Sequence, residues 1–248
     1  MTPRHRILIL GGTGEARQLA AMLLAKGFDV ISSLAGVTEN PLLPDGHVRR
    51  GGFGGTAGLV AYLEAERIAA IVDATHPFAV QISAHAQVAA GSTGIPLLRL
   101  ERPPWQARDG DVWTVVPTHS AAVEGLPTGA RALVTIGRKE IGAFFARTDI
   151  GGVARMIEEQ AQPVPPGWTV ILQRPPFGVE QEVALITHHA ITHLVTQNAG
   201  GPETEAKITA ARALALPVIM IARPRKPKSE PYASVNELVL ALAAKLLP

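Results

Sequence analysis

A chain of 248 residues with 47% hydrophobic, 4% aromatic and 18% charged residues can bury one large core or two smaller ones, and its Ala/Val/Leu-rich make-up is that of stacked βαβ units, not of a disordered segment. It has no cysteine, which excludes disulfides, thiolate nucleophiles, cysteine-ligated zinc and iron–sulfur clusters. A net charge of +2, from 23 basic against 21 acidic residues, gives no support to a nucleic-acid partner, and without a signal-peptide h-region or an apolar run near the ~18 residues of a membrane span, the cytoplasm is the expected compartment.

Residues 6–19, RILILGGTGEARQL, read as strand, glycine turn and helix. Ile7 to Leu10 suit a strand buried on both faces, and Ala16, Leu19, Ala20, Leu23 and Leu24 recur at helical spacing. Gly11, Gly12 and Gly14 allow a tight turn and a close approach to a pyrophosphate, whose charge would rest on the amides opening the helix. Gly11, Gly12, Thr13, Gly14, Glu15 and Ala16 are therefore candidate cofactor contacts. Arg17 stands where a third glycine would complete a dinucleotide fingerprint, so a plain tight turn with Thr13 capping the helix fits the same residues. The helix over 15–26 ends at Gly27, and Phe28–Leu34 is the second strand.

About 20 positions past the glycine turn, where NAD-binding proteins carry an acid for the ribose 2′-hydroxyl, stand Ser32 and Ser33. With no carboxylate to repel a 2′-phosphate, NADP is favoured over NAD. Arg17, Thr38, Arg49 and Arg50 are possible partners for that phosphate, with ordinary solvation the alternative for each arginine. Val48–Arg50 is a short third strand ahead of Gly51-Gly52-Phe53-Gly54-Gly55, a loop that calls for positive φ or close ligand approach; Gly52, Phe53 and Gly54 join the cofactor candidates.

A helix over Thr56–Glu66, with Leu59, Tyr62 and Leu63 inward, leads to a fourth strand, Ala69–Asp73, and to the loop Asp73-Ala74-Thr75-His76-Pro77-Phe78-Ala79. In a sheet ordered 3-2-1-4-5 this loop lies at the switch-point crevice, where ligands bind, so Asp73, Ala74 and Thr75 are further cofactor candidates. His76, with Thr75, is the candidate for chemistry: an imidazole titrating near neutrality can bond a nicotinamide amide or donate a proton. A His-Pro turn with Thr75 capping the next helix is the other reading. A helix over 79–90 and a strand at Pro96–Leu100 complete a cofactor-binding domain over 1–100, and RLERPPWQARDG at 99–110 reads as the boundary.

From 101 to 248 the alternation repeats as a second α/β domain. Strands are predicted at Val112–Val116, Ala132–Ile136, Thr169–Leu172, Leu194–Thr196 and Pro217–Ile221, with a weaker one at Val153–Ile157; helices fall near 119–125, 139–146, 179–188, 203–214 and 234–246. The fold class is α/β, two Rossmann-like three-layer domains with largely parallel sheets and a cleft between them. Strand-end loops at 135–139, 173–178 and 196–201 mix polar groups with glycine or proline, and the proline-rich loop 223–231 carries Arg223, Arg225, Lys226 and Lys228. Tyr62 and Tyr232 are followed four residues on by Glu66 and Asn236, which excludes a Tyr-x-x-x-Lys mechanism. His188, His189 and His193 lack an acidic partner at metal-ligand spacing, so no metal is expected, and neither GxSxG nor a Walker lysine occurs.

The ordered series GGTGEA at 11–16, SLAG at 33–36, GGFGG at 51–55, DATHPFA at 73–79, RLERPPW at 99–105, NAGG at 198–201, AKI at 206–208 and VIMIARP at 218–224 resembles the precorrin-6A reductase family of the cobalamin pathway, which also has a cobalt-precorrin form. The resemblance spans nearly the whole chain. It implies an NADPH-dependent oxidoreductase acting on a conjugated ring, which transfers hydride to a ring carbon of precorrin-6A to give precorrin-6B without flavin or metal. It further implies an anionic tetrapyrrole substrate and handover to neighbouring pathway enzymes. The acetate and propionate groups of such a substrate call for several charge-assisted hydrogen bonds. Arg99, Arg102, Arg138, Lys139, Arg155, Arg174, Lys207 and Arg223 are candidates, beside Asn198, Gly200 and Gly201 of the NAGG loop. Val37 departs from an arginine common in the family, Gln197 from a lysine and Pro175 from a glycine. An NADP(H)-sensing regulator without chemistry is the second reading. It rests on the missing Tyr/Lys pair and on the lack of an obvious proton donor besides His76, and the arginine-rich loops of the second half count against it.

Overall fold

The structure, a computed structural model, describes residues 5–36, 41–227 and 231–246; Val37, Thr38 and Lys228 lie outside the described residues. The chain divides into two compact units, one formed by the residues up to Pro103 together with those from Pro224 on, the other by Pro104–Arg223.

The first unit opens with β1 (Arg6–Leu10), α1 (Gly14–Ala25), β2 (Asp29–Leu34), β3 (His47–Arg50), α2 (Thr56–Ala65), β4 (Ile68–Asp73), α3 (Val80–Thr93) and β5 (Leu97–Arg99). Its five strands are parallel and ordered β3-β2-β1-β4-β5. Successive side chains of β1 point to opposite faces, which explains an unbroken apolar run. Ile7 and Ile9 pack with Leu19 and Leu23 of α1, while Leu8 and Leu10 pack with Leu59 and Leu63 of α2 and Ala86 and Ala89 of α3. Sheet and helices thus form three layers.

The second unit runs β6 (Trp113–Val116), α4 (His119–Glu124), β7 (Arg131–Thr135), α5 (Gly142–Phe145), β8 (Gly151–Met156), β9 (Trp168–Leu172), α6 (Val179–His188), β10 (His193–Gln197), a 3₁₀ turn at Pro202–Thr204, α7 (Ala206–Ala213) and β11 (Val218–Ile221). Its six strands are also all parallel, in the order β6-β11-β10-β7-β8-β9. The strand expected to begin at Val153 begins two residues earlier. Gly152 adopts φ +134°, and a Cβ there would stand 2.1 Å from the Ala132 carbonyl oxygen, so β8 reaches its neighbour only because the position is glycine. The helix expected over 139–146 is reduced to Gly142–Phe145.

The last helix, α8 (Val235–Leu246), corrects the expected domain limits: residues 224–248, assigned from sequence to the second domain, belong with the first unit. Its buried face, Val235, Leu238, Val239 and Leu242, covers the same side of the first sheet as α1. Ahead of it, Tyr232 extends β5 through a parallel bridge to Leu100. Helical periodicity reveals that α8 has an apolar face but not which sheet it covers.

Candidate active site

In the first sheet the chain leaves β1 for β2 on one side, with β4 on the other, so the carboxyl ends of β1 and β4 flank the switch point. Gly11 donates its amide to the Ser33 carbonyl (3.0 Å), and Gly12 turns the chain at φ +111° with open space where a side chain would stand. Thr13 caps α1: its hydroxyl accepts from the Ala16 amide (3.1 Å) and donates to the Ala74 carbonyl (2.9 Å), fastening the turn to the end of β4. The amides opening this twelve-residue helix face the crevice end of the sheet, the arrangement that suits a phosphate. Glu15, in the first turn, would repel one. Burial pushes its carboxyl up, but Arg102, whose Nη1 lies 2.8 Å from both carboxylate oxygens, outweighs burial and holds it below the usual carboxylate range. The pair leaves the turn without net negative charge. Arg17 follows in α1, its amide bonded to the Thr13 carbonyl (3.3 Å).

At the ends of β2 and β3, Ser32 and Ser33 are both buried. Of the three arginines proposed around them, Arg49 is held by Ser33 and by the glycine loop. It donates to Ser33 Oγ (2.8 Å), Gly51 O (2.9 Å) and Gly52 O (3.0 Å), and its guanidinium lies over the Phe53 ring at 3.8 Å. Gly54, at φ +75°, lets the loop fold back over this group, and Arg50 beside it is exposed.

Past β4, Asp73 Oδ1 accepts from the Thr75 amide (3.2 Å) and hydroxyl (2.6 Å), and Lys226 Nζ reaches the Thr75 hydroxyl at 3.4 Å. Thr75 therefore does not cap the next helix, whose N-cap position is Ala79. His76 Nδ1 accepts from the Phe78 amide (3.3 Å), which places the proton of the neutral ring on Nε2. Arg99, only 4% exposed, lies with Nε 3.6 Å from Asp73 Oδ2 and donates through Nη1 to the Pro227 carbonyl (2.9 Å).

The second sheet has its own switch point between β7 and β10. Asn198, after β10, holds the Trp105 backbone at both amide (2.8 Å) and carbonyl (3.0 Å), while Arg223 donates to the carbonyls of Asn198 (2.8 Å) and Ala199 (2.9 Å). Gly200 and Gly201 follow at φ +66° and +82°. Lys207 is buried, donating to Thr204 O (3.0 Å), with its ammonium 4.8 Å from the Trp105 ring centre. Arg138 and Arg174 both face Glu158, at 3.6 and 3.7 Å, and Lys139 is exposed. Arg155 is bound by both oxygens of Glu182 beneath the Phe177 ring. Gln197 contacts His119 Nε2 at 2.9 Å. Sequence reasoning placed Lys226 only in a basic loop, and a partner 151 residues away leaves no local signal.

Among the described residues no cluster of three or more His, Asp or Glu side chains could hold a metal ion, and no helix is long and apolar enough to cross a membrane. A parallel β3-β2-β1-β4-β5 sheet with a capped glycine turn at its switch point is a fold of the dinucleotide-binding class. The family model described as "Precorrin-6x reductase CbiJ/CobK" matches residues 6–243, and the chain belongs to that family. It is 49% identical to a precorrin-6A reductase of Rhodococcus erythropolis over 90% of each chain, and 43% identical to that of Rhodobacter capsulatus over 96% of each. A cobalt-precorrin-6A reductase of Priestia megaterium is 32% identical over 95% of this chain and 97% of its own. The solved structure titled "CobK precorrin-6A reductase" matches with a TM-score of 0.92 at 43% identity, covering 97% of this chain and 96% of that one.

Proposed function

We propose that the chain is a precorrin-6A reductase of cobalamin biosynthesis, using NADPH to reduce the macrocycle to precorrin-6B. The observation that carries this is near-full-length membership of the reductase family by a chain with a capped glycine turn at its switch point. The sensor reading has no such support. NADPH, when bound, supplies hydride to a ring carbon. The glycine turn from Gly11 to Gly14 and the start of α1 fit its pyrophosphate, with Arg49, Ser33 and the 52–54 loop toward the 2′-phosphate. Asp73, Ala74 and Thr75 are the proposed cofactor contacts on the β4 side, beside His76, whose ring is turned by the Phe78 amide and which is the proposed group for the chemistry. Arg138, Lys139, Arg174, Lys207 and Arg223, with the 198–201 loop, are the proposed contacts and supports for substrate carboxylates. Anaerobic incubation with NADPH and precorrin-6A should give substrate-dependent loss of absorbance at 340 nm; no loss would overturn the reading.

Cofactor choice is testable separately. Arg49→Ala removes a stacked guanidinium that can make charge-assisted bonds, so NADPH affinity should fall roughly 10- to 100-fold with NADH affinity nearly unchanged. Equal losses for both nucleotides would assign Arg49 to holding its loop.

A further inference from the structure

The loop at 51–55 rests on the first turn of α2. A Cβ built at Gly58 would overlap the Phe53 carbonyl oxygen and lie 2.9 Å from the Phe53 carbonyl carbon, and backbone atoms cannot swing aside as the end of a side chain would. Glycine weakens a helix, so its place in α2 is explained by what lies against it. The bare backbone at 58 lets the loop come down onto the helix. Tyr62 stands one turn further along and meets the Phe53 ring edge to face, with ring centres 5.2 Å apart and planes at 67°. The guanidinium carbon of Arg49 lies 3.8 Å from the Phe53 ring centre and 5.1 Å from that of Tyr62, so both rings are within cation–π reach. Its Nη1 donates to Ser33 Oγ and Gly51 O, and its Nη2 to Gly52 O. These acceptors are a hydroxyl and two carbonyls, neutral groups that orient a guanidinium without cancelling its charge.

Gly58 and Tyr62 thus determine where the Phe53 ring stands, and the ring determines where the guanidinium stands. A long arginine side chain gives up much rotamer freedom when it is pinned, so a site that arranges this before the ligand arrives loses less on binding. We propose that Gly58 and Tyr62 are positioning residues for the choice of NADPH over NADH, acting through Phe53 to hold the Arg49 guanidinium where the 2′-phosphate binds. The inference rests on the reading of Arg49 as the partner of that phosphate, and it adds two residues whose side chains need not touch the nucleotide. Ordinary packing is the other account of the rings, since Phe53 and Tyr62 both lie against the core around Leu59 and Leu63. Packing accounts for ring against ring. It does not call for a guanidinium laid over both, with its donors committed to Ser33 and the loop backbone.

Kd values for NADPH and NADH, read from nicotinamide fluorescence of the full chain without substrate, test this. Arg49→Ala is the reference and sets the full loss of preference. Phe53→Leu and Tyr62→Leu, which remove aromatic faces and create no overlap, should lower the ratio of NADH Kd to NADPH Kd roughly threefold to tenfold. Gly58→Ala, checked for a native melting transition, should lower it about tenfold, because the loop is lifted with Arg49 on it. In each of the three, Kd for NADH should stay within about twofold of wild type. Tyr62→Phe, which keeps the ring and loses only the hydroxyl, should keep the wild-type ratio. In the Arg49→Ala background none of the three should lower the ratio further, because they act through that guanidinium. A wild-type ratio in Arg49→Ala would overturn the phosphate reading itself, and this inference with it. A ratio lost in Arg49→Ala but kept in Tyr62→Leu or Gly58→Ala would overturn that residue's positioning role alone. Equal losses for both nucleotides, which a merely structural role predicts, or a further fall in the Arg49→Ala background would overturn it too.

Discussion

Glu182→Ala should destabilise the protein by roughly 3–5 kcal/mol, because it strips a buried guanidinium of its counter-charge. Glu182 is 1% exposed and Arg155 6%, the two are joined by paired hydrogen bonds between β8 and α6, and the Phe177 ring covers the guanidinium at 3.9 Å. Arg155 is largely shielded from water, so added salt should do little to soften the loss. The pair itself need not be strongly stabilising, since desolvating both charges offsets much of their attraction. The double variant Arg155→Met with Glu182→Leu, which replaces the ions by apolar groups of similar bulk, should recover most of what Glu182→Ala loses. Denaturant unfolding of the three proteins decides the matter, and a loss below about 1 kcal/mol in Glu182→Ala would mean that the pair is hydrated in solution.

Gly152→Ala should be comparably severe for a different reason. Its new Cβ would lie 2.1 Å from the Ala132 oxygen and 2.6 Å from the Ala132 nitrogen, both backbone atoms of the central strand β7, and φ +134° is itself unfavourable for alanine. Parting β7 from β8 should cost about 4 kcal/mol and lower the melting temperature by on the order of 15 °C. Gly129→Ala supplies the control: φ is +79° there, with no atom within 4 Å of the added carbon, so only the backbone term of about 1 kcal/mol applies. Equal effects at both positions would show that β8 tolerates the shift.

The glycine pair also marks where sequence reading stops. Ile7 to Leu10, the glycine turn and the helical spacing of Leu19 and Leu23 each carry local information, and the alternation of strands and helices confines the first sheet to few orders, of which the observed β3-β2-β1-β4-β5 is one. Gly151 and Gly152 conceal the start of β8 because glycine has no strand preference and its value lies in what stands opposite. The site divides in the same way. Gly11 to Gly14 and the loop from Asp73 to His76 are contiguous and could be read; Arg49 over Phe53 was half legible, as an arginine beside a glycine-rich loop. That Arg99 reaches the Pro227 carbonyl, that Arg155 pairs with Glu182 and that Lys226 meets Thr75 are facts of tertiary pairing between distant segments. No periodicity encodes them.

The contribution of α8 to the amino-terminal sheet sets an order of events during synthesis. Residues 104–223 are contiguous and can close their sheet as soon as they have left the ribosome. The sheet formed by β1 to β5, translated before that unit, keeps part of one apolar face bare until Val235, Leu238, Val239 and Leu242 have followed, so it matures after a unit that is made later.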